Sequence, residues 1–229
     1  MVVRIKRHPA GREEFDVDME PKATLLELLI KLKEEQDPTL TFRSMCRAGI
    51  CGTCAVKVNG KPVLACSVRV ENLGEELFIE PLEGYRIIKD LAVEHETIYE
   101  RLRLAKVWLM PAQEYEVLPH HLERVSRSHE CILCGICDSV CPVLQTGSSF
   151  GGPLVLTRLY KHLYDPRNIK QDLENLFGLN PQLCTHCMNC SYACPKRLMP
   201  EAHIREEELL LVDKGLLRKE SGGFEFLGF

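Results

Sequence analysis

Residues 184–195 read C-T-H-C-M-N-C-S-Y-A-C-P: three cysteines at a spacing of two, a fourth at a spacing of three, and then proline. The same pattern stands at 131–142, as C-I-L-C-G-I-C-D-S-V-C-P. This arrangement is typical of cubane iron–sulfur ligation, in which three cysteines hold one cluster and the fourth reaches the other. The duplicated pattern therefore predicts two neighbouring [4Fe–4S] clusters that exchange ligands.

The spacing within each pattern assigns the ligands. A spacing of two keeps successive thiolates within reach of one small cluster, whereas the spacing of three with proline turns the last thiolate toward the neighbouring site. The predicted ligands of the first cubane cluster are Cys131, Cys134, Cys137 and Cys194. Those of the second are Cys184, Cys187, Cys190 and Cys141.

A third group of cysteines lies in the first third of the chain. Cys46, Cys51 and Cys54 have the plant-type [2Fe–2S] spacing, and Cys66 is the distal fourth ligand. The loop reads C-R-A-G-I-C-G-T-C, in which glycines let backbone N–H groups approach the cluster sulfurs. With this group, all 12 cysteines of the chain have a predicted role.

Two other roles for the cysteines are weighed against clusters. Pairs of the form C-x2-C also build zinc ribbons, but structural zinc uses pairs of pairs rather than triplets followed by Cys-Pro. Cysteines so closely spaced rarely satisfy disulfide geometry. The first residues, MVVRIKRHPAGREEF, also lack the apolar core of a secretory signal. The pattern therefore favours iron–sulfur clusters in a reducing compartment.

Composition restricts the classes of partner. A chain of 229 residues with 45% hydrophobic residues predicts one or two domains with hydrophobic cores. The net charge of −4 gives no indication of nucleic-acid binding or of a cationic membrane surface. No apolar run approaches the ~18 residues of a spanning helix, so a membrane link is expected only through a partner.

The amino-terminal part alternates strands with one helix. Strands are predicted over residues 2–7, 14–19, 55–58, 62–70 and 77–80, with Gly11 in the first turn and Cys66 in the fourth strand. Thr24 and Glu27 form a capping box before a leucine-faced helix that ends near Asp37. Asn59-Gly60 predicts a tight hairpin. Two strands, a helix and a cysteine loop are the order of a β-grasp [2Fe–2S] ferredoxin domain.

The remaining part is predicted to be helical, which makes the fold class α+β. The domains are residues 1–90, a β-grasp ferredoxin domain, and residues 91–229, an all-α ferredoxin domain with two cubane clusters. Apolar residues from Ile87 to Ala105 mark one long amphipathic segment, and further helices are expected near 153–163, 168–177 and 200–212. The basic run Arg101, Arg103 and Lys106 is interpreted as a solvated face or a partner contact. Trp108, the one tryptophan, is expected to pack between the domains, with a role beside a cluster as the alternative.

The sequence predicts no catalytic residue. It contains no nucleophile–base pair, phosphate loop or paired-carboxylate motif, so the chain is expected to handle electrons rather than a substrate. The eight histidines are not needed as ligands, because cysteines complete all three clusters. His186 lies between two predicted ligands, and it either tunes a cluster, carries a proton or is a partly exposed side chain.

The order of the two domains resembles the iron–sulfur subunit of succinate dehydrogenase and fumarate reductase. The resemblance rests on C-R-A-G-I-C-G-T-C, N-G-K-P-V-L-A-C, I-I-K-D-L, C-I-L-C-G-I-C-D-S-V-C-P and C-M-N-C-S-Y-A-C-P-K. It implies a non-catalytic electron-transfer subunit of a tricarboxylic acid cycle or fumarate-reducing complex. Electrons would pass between the FAD of a flavoprotein subunit, the three clusters, and a membrane anchor that handles quinone. It also implies a cytoplasmic subunit held at the cytoplasmic face of the cell membrane by its partners.

The sequence departs from the family's common pattern near the second cubane cluster. Common members lack a cysteine at the position of Cys187 and hold a [3Fe–4S] cluster there, which is the alternative for this site. The cysteine present here predicts [4Fe–4S] and resembles the branch with cysteine-rich, heterodisulfide-reductase-like anchors. The usual tryptophan and histidine of the quinone pocket are replaced by Gln145-Thr146 and Thr185, so quinone at the interface is an open expectation.

Two other functions compete with this one. The chain could be the electron-input subunit of a thiol- or heterodisulfide-linked fumarate reductase, as Cys187 suggests. It could also be a free-standing polyferredoxin-like carrier, although a diffusing carrier has no need of a second domain. Stable co-purification with a flavoprotein would separate these functions.

Overall fold

A computed structural model describes residues 1–9, 11–109, 117–168 and 173–218. The strands are β1 (Val2–Arg7), β2 (Gly11–Asp16), β3 (Ala55–Val58), β4 (Lys61–Leu64), β5 (Glu76–Pro81), β6 (Ile87–Lys89) and β7 (Ala92–Val93). The helices are α1 (Leu25–Glu35), α2 (Glu96–Leu104), α3 (Pro119–Glu123), α4 (Ile136–Ser139), α5 (Pro142–Gln145), α6 (Pro153–Leu163), α7 (Leu173–Gly178), α8 (Asn189–Ala193) and α9 (Pro200–Asp213). Strands followed by helices confirm the α+β fold class.

The amino-terminal half is a five-stranded sheet packed against α1. The strand order is β2-β1-β5-β3-β4, with β1 and β5 parallel and the other pairs antiparallel. The predicted capping box is present, because the Thr24 hydroxyl accepts the Glu27 N–H while the Glu27 carboxylate accepts the Thr24 N–H. The predicted leucine face is buried against the sheet: Leu25, Leu28, Leu29 and Leu32.

Two strand predictions are corrected by the structure. The partner of β1 begins at Gly11, which pairs with Arg7, rather than at residue 14. Strand β4 ends at Leu64, so Cys66 follows the strand instead of lying within it. The chain turns there toward the start of α1, where the Ala65 carbonyl accepts the Leu26 N–H at 2.9 Å. The first N–H groups of a helix have no partner within the helix. Because the Ala65 carbonyl bonds to one of them, the chain leaves the sheet after Leu64.

The connector between the two halves is also different from the prediction. Residues 87–93 form the β6–β7 hairpin, and helix begins only at Glu96, so the expectation of one long amphipathic helix is wrong. Asp90 lies at the tip with φ +46°. Its carboxylate accepts hydrogen bonds from the Arg7 side chain and from the Thr41 N–H, both at 2.9 Å. These tertiary bonds fasten the hairpin to the sheet domain, and they override the helical spacing of the apolar residues.

The carboxyl-terminal half is built around α6 and α9. Helix α6 begins at Pro153 and α9 at Pro200, as predicted, whereas the helix predicted over 168–177 is seen as Leu173–Gly178, since 169–172 lie outside the described residues. The two short helices inside the cysteine patterns, α4 and α8, contact each other. In the described ranges, no helix is long and apolar enough to cross a membrane. Trp108 is 46% exposed, so its predicted burial between the domains is wrong.

The predicted boundary between residues 90 and 91 falls at the tip of this hairpin and stays a prediction. Cys134 and Ile136 of the helical half are buried in the same hydrophobic core as the sheet and α1. This shared core brings the two cysteine-rich loops of the halves together.

Candidate iron–sulfur centres

The loop of the first cysteine group wraps around its own sulfurs. Backbone N–H groups of Ala48, Ile50 and Cys51 donate to the Cys46 sulfur at 3.3–3.4 Å. The Gly49 N–H donates to the Cys66 sulfur at 3.2 Å, and the sulfurs of Cys54 and Cys66 are 3.4 Å apart. Donors arranged around sulfur in this way suit a cluster, whose charge they stabilise.

The thiols of this group differ in how easily they ionise. Backbone hydrogen bonds from Ala48, then Ile50 and Cys51, lower the pKa of Cys46 to about 6. Burial raises the pKa of Cys54 to about 12. Iron binds thiolates, so Cys46 is already a good ligand at neutral pH, whereas Cys54 must lose a proton as iron binds.

The first cubane group combines both repeats. Its thiols line one small cavity of about 20 Å³, whose other walls include Leu154 and Leu198. These thiols are Cys131, Cys134, Cys137 and Cys194. Burial first, and then the neighbouring thiols of Cys131 and Cys194, raise the pKa of Cys134 to about 12. The structure therefore brings Cys194 of the second repeat to the first group, as the spacing predicted.

The second cubane group shows the reciprocal exchange. The pKa of Cys190 rises to about 12, chiefly through burial and then through the thiols of Cys184, Cys141 and Cys187. Cys141 of the first repeat thus belongs with the cysteines of the second. Cys187 is exposed, whereas Cys141 and Cys190 are buried. Which of these sulfurs bind iron stays a prediction, although four thiols in each group fit a cubane cluster.

The backbone repeats its conformation in the two cubane loops. Leu133 and Gly135 have φ of +56° and +79°, and the corresponding His186 and Met188 have +52° and +63°. Left-handed residues at both positions fold each loop around its thiols, and the His186 N–H donates to the Cys184 sulfur at 3.4 Å. A motif match alone would not reveal that Met188 adopts a conformation ordinarily left to glycine.

The loop of the first group touches that of the second. A Cβ atom on Gly52 would lie 2.8 Å from the Ile132 carbonyl oxygen and 2.9 Å from the Cys134 Cα. Both distances are shorter than van der Waals contact, so the two backbones meet with room for a hydrogen atom only. This contact puts a ligand loop of the sheet domain against a ligand loop of the helical domain.

Two charged side chains have more specific surroundings than the sequence indicated. Arg101 is not simply a solvated base, because it pairs with the buried Asp138 carboxylate at 2.6 Å. The His186 ring lies between Glu201 at 3.0 Å and Glu208 at 3.2 Å. An aspartate inside the first cubane pattern was the one available signal for the Arg101 pair, and its partner lies 37 residues away.

In the described part of the chain, no group of three or more histidine, cysteine or acidic side chains is arranged to hold a single metal ion. All twelve cysteines are free of disulfides.

Comparison with known proteins identifies the class of protein that this fold and these thiol groups define. Residues 2–100 match the model of a 2Fe-2S iron–sulfur cluster binding domain, and residues 127–198 match that of a 4Fe-4S dicluster domain. The chain is therefore an iron–sulfur electron-transfer protein with [2Fe–2S] and [4Fe–4S] centres, which confirms the predicted cofactors.

Among curated proteins, the chain is 32% identical to the succinate dehydrogenase [ubiquinone] iron–sulfur subunit 1, mitochondrial, of Oryza sativa subsp. japonica. The alignment spans 205 residues, or 84% of this chain and 73% of the relative. The chain belongs to the succinate dehydrogenase iron–sulfur subunit family. It is thus an electron-transfer subunit of an oxidoreductase complex rather than its catalytic subunit.

Solved structures share the fold. A chain of the Mycobacterium smegmatis Sdh1 complex in the apo form superposes with a TM-score of 0.87 at 23% identity, covering 95% of this chain and 97% of the other. A hypothetical protein from Helicobacter pylori gives a TM-score of 0.58 at 14% identity, covering 96% of this chain but 41% of the other. At these identities the likeness concerns the fold alone.

Proposed function

We propose that this subunit carries electrons between the FAD of a flavoprotein subunit and a membrane anchor or its quinone, in a succinate dehydrogenase or fumarate reductase complex. The observation that carries the proposal is the contact of Gly52 with the loop of Cys134. It joins the first and second thiol groups, and the exchange of Cys141 and Cys194 joins the second and third. Three adjacent centres form a continuous route for electrons.

The ligand sets follow the three groups of thiols. The [2Fe–2S] cluster is held by Cys46, Cys51, Cys54 and Cys66. The first [4Fe–4S] cluster is held by Cys131, Cys134, Cys137 and Cys194, and the second cubane cluster by Cys184, Cys187, Cys190 and Cys141. Because Cys187 supplies a fourth thiolate, the last cluster is [4Fe–4S] rather than the [3Fe–4S] alternative.

Exposed apolar side chains support two docking faces. Met45 and Ile50 flank the Cys46 sulfur and are 75% and 66% exposed, which suits the flavoprotein. At the other end of the route, Cys187 is exposed, and Leu183 before it is 39% exposed, which suits an anchor subunit. Held through that anchor, the subunit lies on the cytoplasmic face of the membrane.

The acceptor beyond the last cluster separates a second candidate function from the first. Thr185 and Gln145 stand where the family's quinone pocket commonly has histidine and tryptophan, while the fourth cysteine, Cys187, is present and exposed. These residues favour a cysteine-rich anchor subunit, and with it a thiol- or heterodisulfide-linked fumarate reductase. Identification of the anchor purified with this subunit decides between quinone and disulfide as the acceptor.

The experiment that tests the proposal is anaerobic purification of the tagged subunit with its native partners. We expect one complex that contains flavin, turns over succinate or fumarate, and holds about ten irons per copy of this chain. Turnover should be lost when the flavoprotein is removed. Zinc in place of iron, or turnover by this subunit alone, would refute the proposal.

The exchanged ligands have a matched test. Cys194→Ser should impair the EPR signal of the first cubane cluster, and Cys141→Ser that of the second, although each cysteine lies in the other repeat. If each substitution affected the cluster of its own repeat instead, the ligands would not be exchanged.

A further inference from the structure

Arg101 of helix α2 contacts Asp138, which lies inside the first cubane pattern. The Arg101 Nη1 lies 2.6 Å from Asp138 Oδ2, and its Nη2 donates to the Gly151 carbonyl. The other oxygen of Asp138 accepts the Leu154 N–H at 2.9 Å. The Asp138 side chain is 4% exposed, so its charge is withheld from water and compensated by two donors, the Arg101 guanidinium and the Leu154 N–H.

The fold leaves space for this pair. Gly152 begins the turn into α6 with φ +88°, and a Cβ atom there would lie 2.4 Å from Arg101 Nη2 and 3.3 Å from Asp138 Oδ1. Any larger residue would displace the guanidinium from the carboxylate. Arg101 therefore occupies a shaped site formed by α2, α4 and the start of α6.

Asp138 adjoins one thiol of each cubane group. Asp138 directly follows Cys137 and precedes Cys141 by three residues, and these two cysteines belong to different groups. The Cys141 N–H donates to the Asp138 backbone carbonyl at 3.1 Å, and Leu154, whose N–H the Asp138 carboxylate accepts, lines the cavity of the first cubane group. One buried carboxylate therefore lies close to ligands of both cubane groups, in a medium of low dielectric where a charge acts more strongly than in water.

We propose that Asp138 and Arg101 tune the reduction potentials of the two cubane clusters, Asp138 lowering them and Arg101 offsetting that effect. Reduction adds negative charge to a cluster, so a nearby buried carboxylate opposes reduction and a nearby guanidinium favours it. The proposal rests on the ligand sets of the proposed function. It adds two positioning residues that do not bind iron themselves.

The test is a set of charge substitutions in the full chain, purified anaerobically with its clusters. Redox titration followed by EPR gives the potential of each cluster separately. Arg101→Gln should shift the cubane potentials downward and Asp138→Asn should shift them upward. The double substitution should return them toward the wild-type values, and Arg101→Lys, which keeps the charge, should shift them less than Arg101→Gln.

Two controls separate tuning from structural damage. Arg103→Gln makes the same charge change on the exposed face of α2, and it should leave all three potentials in place. The [2Fe–2S] potential serves as an internal control, because the Cys46 sulfur accepts its hydrogen bonds from backbone N–H groups of its own loop.

Iron and acid-labile sulfide are measured before each titration. These variants keep all of their cysteines, so a variant that holds fewer than three clusters would count against the ligand assignment. Intact clusters with cubane potentials that do not move, or that move the same way in Arg101→Gln and Asp138→Asn, would overturn the tuning proposal alone. Should Arg101→Gln fail to fold, the upward shift expected of Asp138→Asn still decides the question.

Discussion

The contact of Gly52 with the first cubane loop can be tested by adding a single methyl group. Gly52 has φ +73°, and its missing Cβ would meet the Ile132 carbonyl oxygen at 2.8 Å. Alanine therefore incurs two costs: roughly 1–2 kcal/mol for a left-handed backbone, and roughly 1–3 kcal/mol for overpacking against a neighbour that cannot yield. The neighbour is backbone, so relief requires the two domains to move apart.

Gly60 is a matched control for the first of these costs. It has φ +78° in the β3–β4 turn, with nothing within 4 Å of a Cβ position. Gly60→Ala therefore measures the backbone cost without the clash. The overpacking cost should lower the melting temperature of Gly52→Ala by roughly a further 2–12 °C in a chain of this size.

The assay is anaerobic thermal unfolding of the cluster-loaded protein at a fixed scan rate, with EPR of the reduced protein recorded in parallel. We expect Gly52→Ala to weaken the magnetic interaction between the [2Fe–2S] and first cubane clusters, and Gly60→Ala to leave it unchanged. Equal melting temperatures for the two variants, with equal EPR spectra, would show that the loops are not in contact.

Three further predictions concern a ligand, a buried acid and an ion pair. Cys187→Ser should convert the second cubane cluster to a three-iron form; an oxidised [3Fe–4S] EPR signal already present in anaerobic wild type and unchanged by the substitution would contradict this. Burial, followed by Glu208 and Glu206, raises the pKa of Glu207 well above its ordinary value, so the folded protein keeps a proton that the unfolded chain loses as pH rises. The stability of the wild type therefore falls as pH rises above the ordinary pKa of a glutamate. The melting temperature of Glu207→Gln should exceed that of wild type by a margin that widens from about pH 5 to about pH 8. A constant margin would contradict the raised pKa. Asp90→Asn removes one of the three carboxylates that contact the buried Arg7 guanidinium, while Asp37 and Glu13 remain. It should cost about 1.5–3 kcal/mol in denaturant unfolding, against about 0–1 kcal/mol for the exposed control Glu14→Gln; similar losses in the two would show that the hairpin is not held by the charge of Asp90.

Local sequence rules predicted the parts of the fold that depend on neighbouring residues. The capping box at Thr24 and the proline starts of α6 and α9 were correct because each depends on residues within a few positions. The structure also brings thiols of the two repeats together, since ligand spacing determines which thiols can meet, whereas their binding of iron stays a prediction.

The features that sequence reasoning missed depend on distant partners. The spacing of Ile87, Leu91 and Ile98 fits a helix, but Asp90 is held by groups from β1 and from the segment after α1, so a hairpin forms instead. Arg101 read as part of a surface basic run because its partner lies 37 residues away. Charge patterns alone cannot show which member of such a run is paired in the interior.

The parallel pairing of β1 with β5 has a consequence for synthesis of the protein. The central pair of the sheet joins Val2–Ile5 to Glu76–Ile79, and all four cysteines of the first group lie between these two segments. A ribosome adds about 5–20 residues each second, so the sheet must wait several seconds after β1 emerges before its partner exists. During that interval β1 has no β5 strand to pair with, so the complete sheet does not yet cover the thiols of the first group. Iron delivery and closure of the sheet therefore compete in time, and a delivery factor that acts on the nascent chain would find these cysteines before the fold covers them.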